Sequence, residues 1–123
     1  MHPDTLTSVN NLASLYESQG KFGEAQPLLE RALKAREETL GPMHPDTLTS
    51  VNNLAVLYYS QGKLTEAQAL YERALKGQEE TLGPTHPNTL DSVYNLAYLL
   101  DNLPGHEEAA GRLMKRYREA KAQ

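Results

Sequence analysis

Apolar residues along this chain recur with a helical period, in stretches separated by short polar turns. In residues 2 to 19, Leu6, Val9, Leu12, Ala13 and Tyr16 return at steps of three and four. That spacing lines one face of an α-helix and does not match the alternation of a strand. A second stripe, Phe22, Ala25, Leu28, Leu29, Ala32 and Leu33, runs on to Leu40. Pro3 and Asp4 suit the start of the first helix: proline has no N–H to leave unpaired there, and an acid favours the positive end of the helix dipole. The SQGK stretch around Gly20 predicts a tight turn, because glycine accepts the left-handed backbone that ends helices. Gly41 and Pro42 stop the second helix.

The pattern then repeats. HPDTLTSVNNLA at residues 2 to 13 returns letter for letter at 44 to 55, and again as HPNTLDSVYNLA at 86 to 97, with a period of 42. The same helical units are predicted at 46 to 60 and 64 to 82, then at 88 to 102 and about 105 to 122. One hairpin of this kind cannot cover its own apolar face, so the units must stack. The expectation is a single all-α domain over residues 1 to 123, with six helices in repeats 2–43, 44–85 and 86–123.

Residues 53 to 75, NLAVLYYSQGKLTEAQALYERAL, resemble the tetratricopeptide repeat, whose signature positions are filled here by Leu54, Ala55, Tyr58, Gly62, Ala67 and Ala74. The small residues make physical sense in their own right, since they let helices approach where the two helices of a hairpin cross. The repeat is longer than the roughly 34 residues usual for that family. Its extra segment, REETLGPMHPDT at 36 to 47, is similar to the kinesin light chain type. The resemblance implies a right-handed superhelical solenoid that serves as a protein-interaction module and holds an extended peptide in a concave groove lined by the first helix of each repeat.

Repeats one and two differ at nine of 42 aligned positions, among them Ser14/Val56, Glu17/Tyr59, Leu29/Tyr71 and Arg36/Gln78. Ser14 and Glu17 lie three apart and off the Leu12, Ala13, Tyr16 face; the third repeat places Tyr98 and Asp101 there. Exposed positions can drift freely, or these substitutions tune the groove. Asparagine is a mediocre helix former, yet Asn10, Asn11, Asn52, Asn53 and Asn95 sit mid-helix. An amide offers a donor and an acceptor together. The resemblance implies that Asn11, Asn53 and Asn95 grip a peptide backbone; the alternative is a hydrogen bond between repeats. The third repeat has Tyr94 where the others have Asn10 and Asn52, and Asp91 where they have Thr7 and Thr49. The candidate groove is therefore Asn10, Asn11, Asn52, Asn53, Val56, Tyr59, Tyr94, Asn95 and Tyr98, with the acids Glu17, Asp91 and Asp101 beside it. It contains no lysine or arginine, so neither a clamp for a peptide carboxylate nor the basic groove that kinesin light chains use on acidic cargo motifs is expected. Such a face suits an apolar or basic extended segment.

Charge and composition narrow the alternatives. A net charge of -4 gives no general attraction for nucleic acid or anionic lipid, and Lys115, Arg116, Arg118 and Lys121 suit the negative end of a helix dipole. No apolar run approaches a membrane span and no leader pattern opens the chain, so a cytoplasmic protein is expected. There is no cysteine. His2, His44 and His86 share one repeat position, but stacked helices lie about 8 to 10 Å apart and metal–nitrogen bonds are about 2 Å. They read as helix-start residues beside Pro3, Pro45 and Pro87, and neither a metal nor a cofactor is expected. No phosphate loop or nucleophile cluster points to an enzyme. The rival to a binding module is a structural spacer or self-associating array with no dedicated ligand.

The ends of the repetition carry a further expectation. Aligned at a constant 42, Arg112 replaces Leu28 and Leu70, and Arg116 replaces Ala32 and Ala74, which predicts a polar outer face and a capping role for the third repeat. Repeat one has no such adaptation. The expectation is a C-terminal portion of a longer array, whose repeat one either frays over residues 1 to 40 or covers its outer face by self-association. A two-fold homodimer through the N-terminal repeat face is favoured over a head-to-tail filament.

Overall fold

The computed structural model describes the backbone of residues 3 to 122 and the side chains of residues 8 to 122. Among the described residues there are six helices and no strand: α1 Pro3–Ser18, α2 Phe22–Leu40, α3 Pro45–Ser60, α4 Leu64–Leu82, α5 Pro87–Asp101 and α6 Glu107–Lys121. Each helix packs on its neighbours in the chain, α1 on α2, α2 on α3 and so on to α6. The result is a solenoid of three hairpins, in which the A helices are α1, α3 and α5 and the B helices α2, α4 and α6.

Local chemistry sets the helix ends. His44 adopts an extended backbone and its Nδ1 accepts the N–H of Asp46 at 3.0 Å; His86 does the same for Asn88 at 3.1 Å. Each histidine satisfies one of the N–H groups that a helix start leaves open, with proline at the next position. Their third counterpart, His2, lies outside the described residues. At the end of α3, Lys63 N–H bonds to the Tyr58 carbonyl at 2.8 Å and Gly62 N–H to that of Tyr59 at 3.0 Å, with Gly62 at φ 77°. This pairing is the Schellman motif, and it needs a left-handed residue. The end of α1 repeats it at Gly20.

The third turn departs from this pattern and corrects the alignment made from sequence. Pro104 stands where Gly20 and Gly62 stand, and its ring fixes φ near -65°, so the left-handed position moves one residue on, to Gly105 at φ 84°. The first-turn bond of each B helix follows the shift: Ala25 to Lys21, Ala67 to Lys63, then Ala110 to His106. From α6 onward the period is 43. Arg116 is therefore the counterpart of Arg73 and not of Ala74. The two make the same ion pair one repeat apart, Arg73 with Glu37 at 2.8 Å and Arg116 with Glu79 at 2.7 Å. Arg112 falls in the exposed place of Ala69, paired with Glu108 at 3.0 Å. In place of Leu75 and Gln78, both buried in α4, α6 carries Arg118 and Lys121, both exposed.

The core runs through two adjoining clusters, each spanning a junction between repeats. Ala13, Ala25, Leu29, Leu33, Val51, Leu54, Leu57 and Ala74 form one, and Ala55, Ala67, Tyr71, Leu75, Val93, Leu96, Leu99, Leu100 and Ala110 the other. Ala55, Ala67 and Ala74 are fully buried, as expected where helices cross. The helices also approach closely at Gly77, where a Cβ would stand 2.8 Å from both δ-methyls of Leu48.

Identical words do not have identical fates. Leu12 was expected in the core with Leu54, yet Leu12 is 41% exposed and Leu54 only 5%. Leu15 is 52% exposed while Leu57 is fully buried. α3 is packed between α2 and α4, whereas α1 packs mainly on α2. Leu6, expected on the same stripe, lies outside the described side chains.

Polar side chains tie the junctions together. Arg36 Nη1 donates to Ser50 Oγ at 2.7 Å and to the Asp46 carbonyl at 3.2 Å. At the next junction Gln78 takes the place of Arg36: Ser92 Oγ donates to Gln78 Oε1, and Asn52 Nδ2 donates to Ser92 Oγ at 2.9 Å. Both serines are buried, so the Arg36/Gln78 difference exchanges one partner for the buried hydroxyl for another.

Candidate peptide-binding groove

Once the B helices have covered one side of the A helices, what remains of α3 and α5 carries tyrosines. Val56 and Tyr59 stand one turn apart on α3; Tyr94, Asn95 and Tyr98 do the same on α5. Together with Tyr71 of α4 they line a cavity of about 240 Å³. The cavity brings together five of the nine residues expected from sequence. The rings of Tyr59 and Tyr98 are 6.0 Å apart and tilted by 57°, and those of Tyr94 and Tyr98 are 6.5 Å apart and stacked within 20°. Tyr94 also meets Tyr117 of α6 at 5.3 Å, and Lys121 Nζ lies 5.5 Å from the Tyr117 ring centre. A ladder of aromatic rings therefore crosses from α3 to α6. Val56, Tyr94 and Tyr98 are exposed, so they carry little of the core.

Tyr71 is the wall that the sequence reading missed. It is buried in the core, and its hydroxyl is pushed up to about 12, first by burial and then by the nearby Tyr59 and Glu17. Burial and its partner Tyr98 also raise Tyr59, and burial raises the Glu17 carboxyl. The Leu29/Tyr71 difference was the available signal, a hydroxyl on an otherwise aliphatic B-helix stripe. Tyr117 was hidden by the one-residue shift at Pro104.

A second depression continues along the same helices, lined by Thr49, Asn52, Asn53, Val56, Gln78, Asn88, Asp91 and Asn95. Asn53 and Asn95 are half-buried in its wall. Asn52 spends its Nδ2 on Ser92, between repeats, while its Oδ1 is buried without a hydrogen-bond partner. Asn10 Oδ1 is in the same state. Asn10 and Asn11, on α1, line neither depression, and Asn11 is exposed. A third depression, on the far side of Tyr98, contains Asp101, Glu107, Met114 and Arg118. Thr7 lies outside the described side chains.

The repeat geometry fits a known family model. The Tetratricopeptide repeat model matches residues 4–80 and again residues 49–123. The chain is a tetratricopeptide-repeat protein. As such it belongs to a family of protein-interaction scaffolds. Among solved structures, this tetratricopeptide-repeat protein is similar to a Podosopora anserina protein described as a kinesin light chain with nearly identical TPR-like repeats, at 33% identity and a TM-score of 0.88, covering 99% of this chain and 57% of that one. A single-substitution variant of that protein gives 32% and 0.89, covering 100% of this chain and 57% of that one. BtubC (BKLC) from P. vanneervenii gives 25% and 0.86, with coverage of 99% and 48%. The chain thus spans about half the length of the solved structures it matches. No curated protein matches it significantly. Among the described residues, no helix is long and apolar enough to cross a membrane, and no group of three or more histidines and acids could hold a metal ion.

Proposed function

We propose that this tetratricopeptide-repeat protein binds an extended peptide segment of a partner protein in the groove lined by its A helices. The observation that carries the reading is the cavity between α3 and α5. Val56, Tyr59, Tyr94, Asn95 and Tyr98 converge on it while Val56, Tyr94 and Tyr98 stay exposed. Exposed aromatic side chains around a concavity favour recognition of a partner, because they offer large area with few rotatable bonds. Asn53 and Asn95 stand beside them, each able to give and accept a hydrogen bond along a peptide backbone. The two depressions between α3 and α5 include Asp91 and no lysine or arginine, which favours an apolar or basic segment. Selection from a random peptide library tests this. The best binders should lose at least about tenfold in affinity on Tyr59→Ala or Tyr98→Ala, with helicity unchanged. Binders that survive both changes would place the site elsewhere.

A second reading, self-association, is favoured by one specific observation. Leu12 and Leu15 are exposed on α1, while the same residues of the repeat are buried on α3. A homodimer through this N-terminal face would cover them. A head-to-tail array is disfavoured, because Arg118 and Lys121 occupy the places of Leu75 and Gln78 at the other end. Sedimentation velocity across a concentration series should show a dimer that Leu15→Lys dissolves; a monomer at every concentration would remove this reading.

A further inference from the structure

We propose that the four-tyrosine cavity between α3 and α5 is a cage for one cationic side chain, a lysine or an arginine, of the bound peptide. The proposal rests on the groove reading above and gives it a specificity. The cavity, about 240 Å³, falls below the roughly 300 to 1,000 Å³ of sites for whole small molecules. It is the size of a side-chain pocket. Tyr59, Tyr71, Tyr94 and Tyr98 supply four of its six lining residues, and the ring planes of Tyr59 and Tyr98 are inclined to each other. Four tyrosines around one space can offer π-faces and phenol oxygens to an occupant, and both attract a cation.

No charged side chain lines the cavity itself, and the acids next to it favour a cation as its occupant. Position 17 of repeat one, 59 of repeat two and 101 of repeat three correspond, so along the A helices the order is Glu17, Tyr59, Asp101. In repeat register the cage tyrosine thus falls between two acids, and Glu17 lies near enough to Tyr71 to bear on its hydroxyl. Asp101 shares the depression behind Tyr98, and Asp91 shares with Val56 and Asn95 the depression on the other side. Glu17 is half-buried and meets no cation among the described residues; burial holds its carboxyl above the usual range. A bound cation would relieve that desolvated charge. Two cations lie near, Arg118 beside Asp101 and Lys121 over the Tyr117 ring, but neither lines the cage. A neutral aliphatic side chain would fill the same volume without using the acids.

Three blocked heptapeptides test this, identical except for lysine, arginine or norleucine at the central position of a Ser-Ala background. Norleucine keeps the aliphatic stem and lacks the charge. Titrated into the whole chain by calorimetry at low salt, the lysine and arginine peptides should bind about tenfold tighter than the norleucine peptide, in the range expected for a partly desolvated cation over aromatic rings. Glu17→Gln and Asp101→Asn should shrink that ratio, and Tyr59→Ala should abolish it. Glu17 and Asp101 are off the core, so those variants keep the test open even if a tyrosine change disturbs folding. Norleucine binding equal to or tighter than lysine would overturn the cage and leave the groove intact. Binding by none of the three, with no binder from the random library, would overturn the groove and the cage with it. Binding by none of the three while the library yields neutral binders blocked by Tyr59→Ala would overturn the cage alone.

Discussion

Leu57→Ala and Leu15→Ala are the same substitution in the same repeat position, and they should differ in cost by about 1 to 4 kcal/mol. The two leucines sit in closely matching sequence, NLASLYES and NLAVLYYS. Leu57 is fully buried in the cluster that contains Leu29 and Leu33, whereas Leu15 is 52% exposed. Fully burying a leucine contributes about 1.5 to 3 kcal/mol, and truncating it adds a cavity term, so Leu57→Ala should cost about 2 to 5. For Leu15 about half the transfer term applies and no closed cavity forms, so about 0.7 to 1.5 remains. Leu54 at 5% and Leu12 at 41% exposure should repeat the contrast. In a repeat array the loss at Leu57 falls on the coupling between repeats one and two. Urea melts by circular dichroism should therefore show a lower midpoint and a shallower transition for Leu57→Ala, and hydrogen exchange should show α1 and α2 opening first. Equal, concentration-independent losses at Leu15 and Leu57 would mean that stacking does not decide burial in this chain.

Other outcomes follow from individual residues. Pro27 is exposed inside α2, where it removes the N–H that would bond to residue 23. Pro27→Ala should raise stability by about 1 to 3 kcal/mol, read from the urea midpoint. His44→Ala and His86→Ala each remove a side-chain cap and should cost about 0.5 to 2 kcal/mol, while replacement by asparagine should restore most of it. Tyr71 titrates near 12 in the fold against 10 for an ordinary tyrosine. The unfolded chain ionises first, so this residue's stabilisation is complete below pH 10 and is lost as pH rises through about 12. Tyr71→Phe should flatten that alkaline fall, by up to about 3 kcal/mol, in melts at pH 9 to 12.

The fold was legible because repetition multiplies weak signals. The 3.6-residue stripes, the HPDT starts and the turn glycines each occur more than once, and the helix limits read from them lie within a residue or two of those observed. Two features of the fold were not legible. Burial of Leu12 depends on a neighbouring helix, and the letters around it are the same whether or not that helix is present. Register in repeat three depends on Pro104, where a one-residue shift in the turn moves every α6 side chain by a hundred degrees. That shift concealed Tyr117 and misassigned Arg112 and Arg116. Five of the residues that line the cavity could be read from the A helices, four of them at positions that vary between repeats. Tyr71 was marked as core by its stripe; the Leu29/Tyr71 difference hinted at a further role, and the packing shows it bordering a cavity.

The central claim, that a partner peptide lies in the groove of the A helices, is tested most directly by two-dimensional amide NMR of the chain during titration with the tightest library peptide. The account predicts shifts concentrated at Asn53, Val56, Tyr59, Asn95 and Tyr98, with α2 and the outer face of α4 unmoved. Shifts centred instead on the B helices, or on Leu12 and Leu15 of α1, would contradict it.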